Sequence, residues 1–134
     1  MILVMDANAL IALLYDESGG REVGEMLNDP ANTCFVHAVN LCEVYYDHLR
    51  VSGEPTARQV VADLTSTRLI VRDDMDPEFW QAAGIHKAAL RCISLADCFC
   101  LALALRVGGE IVTADHHEFD PVQQQGICSV RFIR

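Results

Sequence analysis

Five short apolar runs recur along this chain: Ile2-Leu3-Val4-Met5, Thr33 to Val36, Leu69-Ile70-Val71, Ile111-Val112-Thr113 and Ser129 to Ile133. Each suits a buried strand and is too short for a helix. Between most of them lie stretches of helical character. Ala9 to Tyr15 carries no breaker, and Val23, Met26 and Leu27 mark a second helix stopped by Asn28-Asp29-Pro30. A third helix, over about residues 39–50, has an apolar stripe of Leu41, Val44, Tyr45, His48 and Leu49 and ends at Gly53. Pro55 opens a fourth as a first-turn proline, and Asp76-Pro77 opens a fifth containing Phe79 and Trp80. Ser94 starts the most apolar helix, which Gly108-Gly109 ends in the left-handed manner that glycine permits. Strands alternating with helices specify an α/β domain whose mainly parallel, roughly five-stranded sheet is covered on both faces.

At 134 residues, with no glycine–serine tract or charge block to mark a linker, the chain reads as one domain over residues 1–134. No apolar run matches a membrane span, and the start lacks the basic residues of a signal peptide. The six cysteines form neither a CxxC pair nor a zinc spacing. Cys34, Cys42, Cys98 and Cys100 lie in apolar segments and are expected to act as small hydrophobes, which points to a reducing cytoplasm. His116-His117 is expected in a solvated polar loop.

Four acids stand where apolar segments meet chain reversals or helix starts: Asp6, Glu43, Asp97 and Asp115. If the first strand and the 111–113 strand are parallel neighbours, Asp6 and Asp115 leave the sheet at one edge. Open α/β sheets carry their sites at that edge. Carboxylates converging there repel one another unless protons or cations intervene. A divalent cation is the obvious choice.

Each acid also has a plainer reading. Asn40-Leu41-Cys42-Glu43 fits a capping box with Asn40 as N-cap, and Ser94-Leu95-Ala96-Asp97 is nearly the same device. Asp6 can cap the helix that follows it, and Asp115 can make a turn. Asp97, however, sits among Leu95, Ala96, Cys98, Phe99 and Cys100, with no lysine or arginine within a turn. Burying an unpaired carboxylate costs several kcal/mol. Asp97 therefore either caps its helix in a wet cleft or faces a metal.

The ordered set of Asp6-Ala7-Asn8-Ala9-Leu10 after an opening strand, Glu43 early in the third helix, Ser94-Leu95-Ala96-Asp97 before an Ala/Leu-rich helix, and Thr113-Ala114-Asp115 ending a strand resembles the PIN-domain pattern. The resemblance covers essentially the whole chain. Its small single-domain form is similar to the VapC toxins of toxin–antitoxin pairs. It implies a three-layer α/β/α PIN-like fold and an endoribonuclease dependent on one or two Mg²⁺ or Mn²⁺ ions. By position, Asp6, Glu43, Asp97 and Asp115 match the acidic metal-binding quartet, with Asn8, Ser94 and Thr113 as supporting polar residues. Glu118 and Asp120 follow in what reads as a loop; surface acids are the expected reading, with a supplied or replaced outer ligand as the alternative for either. Homodimerisation and a cognate antitoxin covering the cleft are further implications. A cationic antitoxin side chain competing with metal among the acids is a corollary.

The chemistry suits these residue types. Mg²⁺ takes oxygen ligands and keeps several waters, so a few carboxylates suffice. Metal-assisted hydrolysis activates water and neutralises charge on the transferring phosphoryl group, leaving a 5′-phosphate and a 3′-hydroxyl. The net charge of −9 argues against an ordinary electrostatic grip on nucleic acid, so a phosphodiester substrate requires the metal. Lys87 and Arg91, one helical turn apart before Ser94, are the candidate RNA phosphate contacts, against the plainer reading of a solvated cationic helix end. Phe79 and Trp80 read as core or interface. The second and fourth helices are candidates for an apolar interface edge.

Two rivals remain at this level. Chemistry through a covalent aspartyl-phosphate is disfavoured because Asp6-Ala7-Asn8 lacks a second aspartate and no suitable lysine is evident. A non-catalytic PIN-like module for RNA or protein binding is disfavoured by retention of all four acids.

Overall fold

A computed structural model describes all residues from Met1 to Arg134. The chain forms β1 (Ile2–Met5), α1 (Ala7–Leu14), α2 (Gly20–Asn28), β2 (Thr33–His37), α3 (Ala38–Ser52), α4 (Glu54–Thr65), β3 (Ile70–Arg72), α5 (Pro77–Leu90), α6 (Leu95–Val107), β4 (Glu110–Thr113), α7 (His116–Gln124) and β5 (Val130–Phe132). The five strands make one sheet in the order β3-β2-β1-β4-β5, and every pairing is parallel. Short apolar runs joined by helical crossovers leave this arrangement as the natural one, because a right-handed crossover returns each strand parallel to its neighbour.

Alternation along the strands divides the core into two. Leu3, Met5, Cys34, Val36 and Val112 face the layer built by α1 to α4. Val4, Ile111 and Val130 face α5, α6 and α7, where Phe79, Leu101, Leu103 and Phe119 fill the space. The α6 sequence is apolar nearly all round, as a helix wedged between the sheet and its neighbours must be. Gly108 ends it at φ 68° in the left-handed region.

Several local expectations change. The cap of helix α3 is not Asn40 but His37, whose side chain accepts from the Val39 amide at 3.1 Å. Asn40 lies wholly buried inside the first turn and makes no capping box with Glu43. Residues 116–124 are helix α7 rather than a polar loop. Its cap is the Asp115 side chain, and Phe119 and Val122 bury its inner face. Cys34, Cys98 and Cys100 are buried, whereas Cys42 is exposed; all six thiols are free.

Phe79 is core and Trp80 is 47% exposed. Helix α2 offers no apolar edge, since Val23, Met26 and Leu27 all enter the core. Exposed apolar side chains include Tyr46 and Val51 on α3, Ile70 and Val71 on edge strand β3, Trp80 and Ile85 on α5, and Leu95 and Leu105 on α6. No helix is long and apolar enough to cross a membrane.

From β1 the chain builds outward through β2 to β3, then crosses back to place β4 and β5 on the far side of β1. The connections thus diverge between β1 and β4, and crevices open at such a switch point, beyond the carboxyl ends of the strands.

Candidate metal centre

Asp6 is the first residue past β1, and its amide donates to the Val112 carbonyl at 3.2 Å, holding it against β4. Its side chain is completely buried. One carboxylate oxygen caps α1 by accepting from the Ala9 amide at 2.8 Å, and the other accepts from the Thr113 hydroxyl at 2.6 Å. The Thr113 oxygen in turn accepts from the Asp115 amide at 2.9 Å. Thr113 therefore ties the two strand-end aspartates into one unit.

Asp115 caps α7, accepting from the Glu118 amide at 3.0 Å, and its second oxygen accepts from Asn8 Nδ2 at 3.2 Å. Ser94 caps α6 through the Asp97 amide at 3.2 Å. The Ser94 amide donates to Glu118 Oε2 at 2.6 Å, so Glu118 completes a cap across two helices. Oxygens of Asp97, Asp115 and Glu118 all lie within 4.8 Å of one another.

Asp97 is only 6% exposed, and none of these carboxylates has an arginine or lysine partner. Three helix N-termini present positive ends to these acids, from α1, α6 and α7. That is too little to neutralise the group. Burial is the main cause that pushes Asp6 up to about 7; the Thr113 and Ala9 hydrogen bonds oppose it, while Asp115 and Glu43 reinforce it. Asp97 is raised well above the carboxylate range by burial first, then by Asp6, by its hydrogen bond with Glu118, and by Glu43. Glu43, half-buried on α3, is raised by burial and by Glu118.

The structure thus brings Asp6, Glu43, Asp97 and Asp115 to one crevice. Both oxygens of Asp6 are engaged in orienting α1 and β4, and each Asp115 oxygen accepts one hydrogen bond, yet Asp115 still lies within reach of Asp97 and Glu118 for a shared ligand. Glu118, for which a surface acid is the expected reading and an outer ligand the alternative, belongs to the cluster; Asp120 faces outward and pairs with His116 at 2.9 Å. The signal for Glu118 was present: Asp115-His116-His117-Glu118 has capping-box spacing. Asn8, Thr113 and Ser94 each bond to the cluster.

Asn40 joins the helices that carry Glu43 and Asp97. Its Nδ2 donates to the Ala96 carbonyl at 3.2 Å, and its Oδ1 is the one buried side-chain polar atom without a partner. Lys87 does not face the crevice freely; its Nζ donates to the Arg91 and Ile93 carbonyls at 2.9 and 2.6 Å. Arg91 is exposed and makes no ion pair. The largest groove, about 370 Å³ between α5 and α6, lies elsewhere, and its one arginine, Arg106, is committed to Asp74 and Asp76.

A hard divalent cation fits this donor set, which is all oxygen, convergent and uncompensated. A family model of the PIN domain matches residues 3–123.

The chain belongs to the PIN-domain family.

Solved structures similar to this PIN domain agree in fold at low identity. VapBC-1 from nontypeable Haemophilus influenzae aligns with a TM-score of 0.72 and 18% identity over 99% of this chain and 98% of that chain. VapBC2 from Rickettsia felis, bound to a DNA fragment from its promoter, aligns with a TM-score of 0.75 and 16% identity over 98% of each chain. VapC20 of Mycobacterium tuberculosis, a toxin that cleaves the sarcin–ricin loop, aligns at 0.66 and 17% identity over 84% of this chain and 89% of that chain. No curated protein matches the chain in sequence.

Proposed function

We propose that this PIN domain is a metal-dependent endoribonuclease and the toxin of a type II toxin–antitoxin pair. The observation that carries the proposal is the uncompensated set of carboxylates at the switch point. A fold does not keep buried acids together without a cation for stability's sake, because each one loses hydration and repels the others. Fold similarity to VapC toxins supports the choice of RNA.

In this reading Asp97, Asp115 and Glu118 hold a Mg²⁺ or Mn²⁺ ion, with Asp6 and Glu43 completing the negative field. A bound divalent ion supplies charge neutralisation at the phosphate and a more acidic water. Asp6 orients the helix α1 terminus and, through Thr113, the Asp115 backbone. Asn8 restrains the Asp115 carboxylate, leaving its oxygens aimed rather than free to rotate. Ser94 holds the first turn of α6, so that Asp97 enters the crevice from a rigid helix rather than from a loop. Glu43, on α3, adds negative charge to the same acids and so favours metal over an unneutralised site. No histidine pair is required as acid and base, and cleavage leaves a 5′-phosphate and a 3′-hydroxyl.

An antitoxin partner and a homodimer go with this reading. The neighbours described as toxin–antitoxin complexes support the first; the exposed apolar residues of α3, β3 and α5 support the second. The deciding experiment incubates total RNA with purified protein and Mg²⁺, Mn²⁺ or chelator, beside Asp97→Ala. Metal-dependent products bearing 5′-phosphates, absent for the variant, are expected. A folded wild-type protein that binds metal yet cleaves no RNA would leave a non-catalytic module.

A further inference from the structure

An acidic nuclease must still hold the strand it cuts, and this chain has few cations to do so. Seven of its ten lysines and arginines lie in ion pairs with acids. Lys87 is spent on two backbone carbonyls. Arg68 and Arg91 are left, both exposed. Arg68 precedes β3 and so stands at the amino edge of the all-parallel sheet, opposite the acids. Arg91 stands three residues before Ser94, whose amide bonds Glu118 of the cluster. One unpaired cation therefore lies three residues from a backbone amide that bonds the cluster.

The backbone at that position adds a second, independent observation. Arg91 occupies the C-cap of α5 at φ 51° and ψ −51°. Helices favour glycine at a positive-φ terminus, because a side chain there is strained. The strain is maintained from both sides. The Arg91 amide donates to the Lys87 carbonyl at 3.1 Å, Lys87 Nζ returns to the Arg91 carbonyl, and Ile93 is fully buried. Residues kept in such conformations by their surroundings cluster at functional sites. Here the outcome is an arginine where glycine would be the easier choice, exposed and unpaired on a braced loop.

We infer that Arg91 is an anchor for an RNA backbone phosphate neighbouring the scissile one, and that Lys87 is not a second anchor but the brace that holds the Arg91 loop. The inference rests on the nuclease reading and adds the strand contact to it. A guanidinium suits a phosphate because it offers two parallel donors. One such contact contributes a defined salt dependence, about 0.7 in the slope of log K against log salt for a single strand.

The test measures binding of a fluorescein-labelled, mixed-sequence single-stranded RNA with a cleavage-resistant phosphorothioate backbone by anisotropy across a salt series, in the protein that keeps all its acids and with Mg²⁺ present. Arg91→Gly should reduce the slope by about 0.7, weaken low-salt binding several-fold, and leave Tm equal or raised because glycine accepts the backbone angle. Arg91→Lys should recover the slope in part. Lys87→Met should lower Tm while keeping the slope. In the otherwise wild-type enzyme, Arg91→Gly should raise KM and leave kcat nearly unchanged. An unchanged slope for Arg91→Gly, or a slope lost in Lys87→Met instead, overturns the assignment while wild-type cleavage with Mn²⁺ keeps the nuclease reading intact. Neither binding nor metal-dependent cleavage by any form overturns both.

Discussion

Two groups of carboxylates in this PIN domain are treated in opposite ways. Near the start of α5, Asp74 and Asp76 are fully compensated: Arg72 meets Asp74 through two bonds of 2.8 Å, and Arg106 reaches Asp74 at 2.9 Å and Asp76 at 2.7 and 2.9 Å. Arg106 also lies over the Phe79 ring at 5.0 Å and Arg72 over Phe35 at 5.5 Å. The arginine hydrogen bonds hold Asp74 and Asp76 down to about 2. At the switch point no arginine arrives, and burial drives Asp6 up to about 7. The first group is finished when the chain folds. The second is left for something else to complete, and that difference separates a structural ion-pair network from a candidate active centre.

The sharpest way to break this comparison is to supply the missing cation. Saturating Mn²⁺ should stabilise the wild-type protein by about 2.7 kcal/mol at a hundred times its Kd, through preferential binding to the folded state. Asp97→Asn should abolish most of that gain. Equal thermal shifts for both proteins in a Mn²⁺ titration would place the metal elsewhere.

Next in size is the link between the two strand ends. Thr113→Val keeps the shape and removes a hydroxyl that donates to Asp6 and accepts from the Asp115 amide. A loss of about 1.5–3 kcal/mol in urea denaturation is expected for breaking a hydrogen bond to a buried charged group. No loss would mean that Asp6 is protonated and rearranged in the metal-free protein. Ser94→Ala should cost about 1 kcal/mol, the usual worth of an N-cap, and should weaken Mn²⁺ binding as well because Asp97 occupies the capped turn. Unaltered calorimetric affinity would confine Ser94 to a stabilising role.

The pH dependence should run in opposite directions for the two groups. A carboxyl raised in the folded state stabilises fully below its unfolded value and loses that contribution as pH rises through the folded value. In chelator, Asp6 should therefore make Tm fall between about pH 4 and pH 7. A carboxyl held down does the reverse. Arg106→Gln should lower Tm at neutral pH, with the gap to wild type closing as pH drops toward about 2, where the Asp74 and Asp76 contributions vanish anyway. Parallel pH–Tm curves for wild type, Asp6→Asn and Arg106→Gln would erase the proposed contrast.

How far the sequence announces these features follows from what each depends on. The β1 and β4 runs are readable because a short apolar segment has few other uses, and Gly108 and Pro77 mark their helix ends by local backbone rules. Helix α7 is harder: His116, His117 and Pro121 disguise it, and only the Asp115–Glu118 cap with Phe119 and Val122 below betrays it. The same cap motif misleads at Asn40–Glu43, because His37 caps α3 about one turn earlier. Pairing rules for adjacent turns of a helix do not find Arg106 either, since its partners Asp74 and Asp76 lie 32 and 30 residues away.

By itself, then, the sequence determined the α/β alternation, the parallel sheet, the four acids at segment ends and the caps that bond within a few residues. These are consequences of hydrophobic period and local hydrogen bonding. The tertiary structure decided which acids meet and which are neutralised. Glu118 joined Asp97 and Asp115 because α7 packs beside the start of α6; Asp74 and Asp76 are neutralised because Arg106 reaches them from the end of that same helix. Charge compensation acts through space at hydrogen-bond range, and the order of residues along the chain does not encode that distance.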